Sequence, residues 1–162
     1  MYRSEARVLL NGHLLMKKLF LTILFTLVLS GGAFSQSMID LKTYMEKNQN
    51  DKDFVYYTYY RCTAVYNYAT RSTTDEELRD KLRQTSAAIM SFSMEALSKE
   101  MKLDAETAIQ RVTDHVELIH KNYIQDGYEY HAKTGDYFEP YMKSDLILCN
   151  ELFQPIMKDI LK

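Results

Sequence analysis

The residue types able to do chemistry in this chain are a single Glu-x-x-His pair, three of its four histidines together with several methionines, two cysteines and an excess of tyrosine. Glu117 and His120 have the i, i+3 spacing that lets two side chains grip one metal ion from a helix face. A di-iron bundle needs that pair from two helices and a glutamate from each of two more. It occurs here once, and Glu117 falls off the apolar stripe, so a solvated glutamate beside a rim histidine is the expected arrangement. His115, His120 or His131 with Met90, Met94 or Met101 could ligate a non-covalent haem, but none of the three histidines is centred on a stripe, and covalent attachment lacks its Cys-x-x-Cys-His. Asp114 and His115 are neighbours in sequence only, because adjacent helix positions point about 100° apart. No Gly-x-Ser-x-Gly or His-Glu-x-x-His motif is present. We therefore expect no cofactor and no catalytic centre.

These residues need elements to hold them, and helical periodicity supplies four long ones. Val55, Tyr59, Cys62, Val65, Tyr66 and Ala69 form a stripe on the first, whose start is expected near Asn50-Asp51. Thr73 or Thr74 with Glu76 or Glu77 predicts a capping box for the second, with Leu78, Leu82, Ile89, Phe92 and Ala96 inward. Asp104 is the predicted cap of the third, whose stripe is Ala105, Ile109, Val112, Val116, Ile119 and Tyr123, and Gly127 is expected to weaken or end it. The fourth starts near Pro140 and turns Met142, Cys149, Phe153, Ile156 and Ile160 to one side, with a kink expected at Pro155. A shorter opening helix over residues 38–47 is a weaker expectation.

The simplest way to bury four such stripes is an all-α, antiparallel four-helix bundle. In up-down-up-down order the first and last long helices are neighbours, each with a cysteine at the middle of its apolar face. A Cys62–Cys149 disulfide is the expected consequence, and closing so long a loop would stabilise by about 4–5 kcal/mol in the chain-entropy model. Two buried free thiols are the competing reading.

The compartment matters for that bond. Lys17-Lys18, the apolar run Leu19 to Leu29 and the small-residue stretch through Ala33-Phe34-Ser35 read as a cleavable secretory signal ending before Gln36. The run is too short for the roughly 20 apolar residues of a membrane span. Met16 has the character of the true start, so residues 1–35 are read as an over-extended start plus signal, and 36–162 as one helical domain in the periplasm or outside the cell. Taking Arg3, Arg7, Lys17, Lys18 and Glu5 from 20 basic and 22 acidic residues leaves 16 and 21, a net charge of minus five. That balance argues against nucleic acid as a partner, because phosphate binding needs clustered Lys and Arg.

Tyrosine offers the remaining functional signal. Tyr56, Tyr57, Tyr60 and Tyr68 project away from the Cys62 stripe and make their helix apolar nearly all round. This second face is expected either to bind a protein partner or a second copy of the chain, or to lie beneath the opening helix or a long connection. Tyr123, Tyr128, Tyr130, Tyr137 and Tyr141, with His131, surround the Gly127 and Gly135 region, where they form either a small-ligand pocket or an ordinary helix corner. The functional expectation is a small exported binding, inhibitor or accessory protein acting through a tyrosine-rich surface. A periplasmic carrier of a small ligand or haem is the alternative.

Overall fold

The computed structural model describes residues 38–160, with side chains through Gln154. The segment read as a start and signal peptide lies outside the described residues, as do the side chains of Ile156 and Ile160. Five helices make up the fold: α1 (Leu41–Lys47), α2 (Phe54–Ser72), α3 (Glu76–Met101), α4 (Ala105–Thr134) and α5 (Pro140–Ile160). The connections from α2 to α5 are three, three and five residues long, which forces successive long helices to run antiparallel. The all-α bundle with a short opening helix is as expected. Among the described residues no helix is long and apolar enough to cross a membrane.

Helix boundaries follow local capping chemistry. Asp104 caps α4 by accepting from Thr107 N at 2.8 Å, and Pro140 opens α5. The cap of α3 is Asp75, which accepts from Leu78 N, in place of the expected Thr73 or Thr74. A carboxylate is the stronger acceptor at a helix N-terminus. At α2 the cap is Asp53, whose side chain makes no capping bond, while Asp51 accepts from Asp53 N. Gly135 closes α4 in the left-handed region at φ 78°.

Gly127 does not end α4, which continues through it to Thr134. Its role is close approach. The Tyr68 hydroxyl occupies the space a Cβ would need at position 127 and donates to the Tyr137 carbonyl at 2.5 Å. Glycine here lets α2 and α4 meet closely enough for that bond to form.

α2 is the central element, with α1, α3, α4 and α5 all packed on it. Its buried residues therefore run round the whole circumference, from Tyr56 and Tyr60 through Cys62 and Val65 to Tyr68. This corrects the expectation of an exposed tyrosine face: Tyr56, Tyr60 and Tyr68 are each only 5% exposed. Tyr57 is half-buried under the opening helix, its ring 4.1 Å from that of Tyr44. A helix apolar on every side is a core helix, not one with a spare surface.

On α3 the buried row is Ser86, Ile89, Ser93 and Leu97, so Phe92 stands one position round from the expected stripe and is exposed. The serines explain the choice of face, since small side chains let α3 lie close to α2, and Ser86 Oγ bonds Asn67 Oδ1 at 2.7 Å. Val55, Leu78 and Ile109, also expected inward, sit in the opening turns of their helices and are exposed.

Cys62 and Cys149 form the expected disulfide at a Cα–Cα separation of 5.4 Å, both fully buried. It joins α2 to α5. Gly127→Ala tests the close approach: helix propensity alone would favour alanine by about 1 kcal/mol, whereas overpacking costs about 1–3 kcal/mol. We expect net destabilisation of about 1 kcal/mol or more, read as a lower urea midpoint. An unchanged or higher midpoint would remove the packing argument.

Candidate functional site

The most concentrated chemistry in the molecule is buried, and it centres on Arg61. The guanidinium lies 2.7 Å from Asp145 through Nη2 and donates from Nε to Asp145 Oδ2 at 2.8 Å and to the Tyr123 hydroxyl at 2.9 Å. Nη1 donates to the Tyr57 hydroxyl at 3.2 Å and Nη2 to the Ile39 carbonyl at 2.6 Å. Asp145 also accepts from the Tyr123 hydroxyl and from Leu41 N, each at 2.5 Å. The Tyr57, Tyr123 and Tyr141 rings surround the cation at 5.6–6.0 Å.

Every carboxylate oxygen of Asp145 thus has a donor aimed at it, which is the environment of an ionised acid. Burial raises its pKa, opposed by the Arg61 charge. For Arg61, burial favours the neutral form, but the facing Tyr123 and Asp145 oxygens outweigh it and raise its pKa above the ordinary value. Arg61, Asp145 and Tyr123 are all completely buried, so this network is closed to any substrate. Its chemistry is structural.

Neither Arg61 nor Asp145 stood out in the sequence as a site. The available signal was positional: Arg61 adjoins Cys62, and Asp145 lies one turn before Cys149, so two opposite charges sat on apolar faces beside a predicted disulfide. Tyr123, expected at a ligand pocket, belongs to this network instead. Tyr141 donates to Asp126 Oδ2 at 2.6 Å.

Open chemistry gathers where the C-terminal end of α2 meets the C-terminal half of α4. Tyr68, Arg71, Ser72, Ile124, Tyr128 and Tyr137 line a cleft of about 260 Å³ there. Tyr128 and Tyr137 are exposed, with rings edge-to-face at 6.3 Å, and His131 stacks on Tyr137 at 3.8 Å. Of the tyrosines and histidine expected at this end, the structure brings Tyr128, Tyr137 and His131 together. Tyr130 is half-buried and does not line the cleft. Arg71, which the sequence reading did not single out, is exposed on the cleft wall and has no ion-pair partner among the described residues.

The metal and haem candidates are held apart. Glu117 faces Lys121 at 3.9 Å, Asp114 accepts from Gln110, and His115 Nδ1 lies 2.8 Å from the Arg111 carbonyl. Among the described residues no three His, Cys, Asp or Glu side chains converge as a metal site. Met90, Met94 and Met101 pack partly buried against the core. His120 has a buried Nε2 with no hydrogen-bond partner among the described residues, and its pKa is lowered, first by burial and then by the charge of Arg71. Comparisons with protein-family models, curated proteins and solved structures find no match to this chain.

Two predictions come from these side chains. Arg61→Met strands Asp145 as an unpaired buried charge and should cost about 3–5 kcal/mol. The double variant Arg61→Met/Asp145→Asn should cost clearly less than the sum of its singles in denaturant unfolding, and additive losses would mean the pair is not coupled. For His120, a folded pKa below the ordinary 6.5 means that its contribution is fully present above pH 6.5 and is lost as pH falls through the depressed value. His120→Gln should therefore flatten the stability profile on the acid side of pH 6.5, measured as thermal midpoint against pH. An unaltered profile would assign that acid sensitivity elsewhere.

Proposed function

We propose that this protein is a small exported binding or accessory protein that recognises a protein partner at the Tyr128–Tyr137 cleft. The observation that carries the reading is an unpartnered cation, Arg71, on the wall of a cleft that also exposes two tyrosine rings. Tyrosine and arginine are the side chains that most often anchor protein interfaces, because each combines a broad apolar or planar surface with fixed hydrogen-bonding geometry. A partner segment that places an apolar or aromatic side chain beside a carboxylate complements both features.

Size favours a protein partner over a carried small molecule. At about 260 Å³ the cleft is smaller than the roughly 300–1,000 Å³ that engulfs a drug-sized ligand, and two exposed rings form its rim. It suits the insertion of one or two side chains from a larger surface. Export is supported by the charged, apolar and small-residue order of residues 17–35 and by the disulfide, which persists in oxidising compartments.

Photo-cross-linking in the native host tests both parts. With benzoylphenylalanine at position 128, we expect a discrete cross-linked partner whose yield falls at least tenfold on Arg71→Ala or Tyr137→Ala. Intact mass of the recovered bait should place its N-terminus at Gln36. Cross-linking that is absent, or unchanged in both folded variants, would sink the interface, and a retained leader would sink export.

A further inference from the structure

A second cleft, of about 150 Å³, lies toward the other end of α2, between the N-terminal turns of α2 and α4 and the C-terminal turns of α3. Its lining contains two opposite charges, Asp53 and Arg111, neither of which forms an ion pair among the described residues. Asp53 is exposed and its side chain makes no capping bond, although it occupies the N-cap position. Arg111 has only the Met101 sulfur as a partner, at 3.3 Å. Both groups line the cleft, yet no ion pair joins them.

Tyr60 shares this lining with them. It is only 5% exposed, it lines the cleft, and its hydroxyl makes no hydrogen bond among the described residues. The other buried tyrosines of α2 contrast with it: Tyr56 donates to Glu100 at 2.6 Å and Tyr68 to the Tyr137 carbonyl. Burial raises the pKa of Tyr60, with the Arg111 charge drawing it down and the Asp53 charge pushing it up, so the hydroxyl feels both. The hydroxyl is the part of Tyr60 that opens on the cleft, where solvent or a ligand oxygen can be its partner.

We propose that this cleft binds a small zwitterion of the free amino-acid class, its ammonium group toward Asp53 and its carboxylate held by the Arg111 guanidinium and the Tyr60 hydroxyl. A lone anion would leave Asp53 facing like charge, and a lone cation would do the same to Arg111. A zwitterion satisfies both and, being net neutral, enters without changing the charge of the site. Arginine suits the carboxylate end because its planar fork can bind two oxygens at once. The Tyr44 and Tyr57 rings and Leu97 form the apolar remainder of the wall, which suits an aliphatic body. At about 150 Å³ the cleft has room for a ligand of a few heavy atoms.

Heteronuclear NMR titration of the mature, oxidised protein tests this directly, with glycine, alanine and 4-aminobutyrate as zwitterions and acetate and methylammonium as their halves. At least one zwitterion is expected to shift resonances of Tyr60, His115 and Arg111 and to bind tenfold or more tightly than either half. Arg111→Met and Asp53→Asn should each weaken it at least tenfold, and Tyr60→Phe, which keeps the ring and the fold, about tenfold. The proposal is overturned if no zwitterion shifts these residues at about 10 mM, if a half-molecule binds as well as the whole, or if binding persists unchanged in the folded Arg111→Met and Asp53→Asn variants. Shifts centred on Tyr128 and Tyr137 would likewise overturn it by moving the ligand to the other cleft.

Discussion

The ion pair between Arg61 and Asp145 sets the terms for everything packed around it. Removing two such charges from water carries a penalty of several kcal/mol per ion, and only near-complete hydrogen bonding offsets it. The partners that provide it come from four places in the chain: the segment entering α1 through Ile39 O and Leu41 N, α2 through Tyr57, α4 through Tyr123 and α5 through Asp145 itself. If any one of them shifted, a buried donor or acceptor would be orphaned. The pair therefore specifies the register of four elements more stringently than apolar packing, which tolerates small slides.

The opening helix shows this dependence most clearly. At seven residues α1 is far below the 12–15 at which isolated helices become even marginal in water. Its Asp40 cap accepts from Thr43 N, Leu41 is fully buried, and Leu41 N and Ile39 O are fixed by the ion pair. Once held there, α1 lays Tyr44 over Tyr57 and closes the side of α2 that would otherwise be an exposed aromatic face. The disulfide acts on the same seam. Cys62 follows Arg61 directly and Cys149 is one helical turn beyond Asp145, so a covalent bond and an ion pair join α2 to α5 within a single turn.

Much of this was legible in the residues, and the failures have one physical origin. Periodicity, the Asp104 cap and Pro140 located the long helices, and equal placement of Cys62 and Cys149 on neighbouring apolar faces gave their pairing. Periodicity presumes that a helix has an inside and an outside, though, and α2 has no outside. Tyr56, Tyr60 and Tyr68 pointed away from one stripe because they pack against other helices. Gly127 read as a terminator for a related reason: sequence shows the missing side chain, but not the Tyr68 hydroxyl that fills its place. Arg61 and Asp145 stayed invisible because a lone charge on an apolar face gives no hint of its partner until the topology brings the two together.

A central helix rich in tyrosine also explains where aromatic and charged groups meet at open clefts. Each tyrosine packed along α2 brings a hydroxyl that needs a partner, and around Arg61 the hydroxyls of Tyr57 and Tyr123 find it in the guanidinium. Nearer the ends the side chains of α2 also line clefts open to solvent. In the N-terminal half of α2 the Tyr60 hydroxyl has no hydrogen-bond partner among the described residues and shares a cleft with Asp53 and Arg111. At the other end Tyr68 uses its hydroxyl on the Tyr137 carbonyl, which positions Tyr137 and Tyr128 as exposed rings beside Arg71. The same composition thus gives a closed polar core at mid-helix and open, mixed aromatic and charged clefts at both ends. Both clefts are a product of how α2 distributes its aromatic and charged side chains along its length.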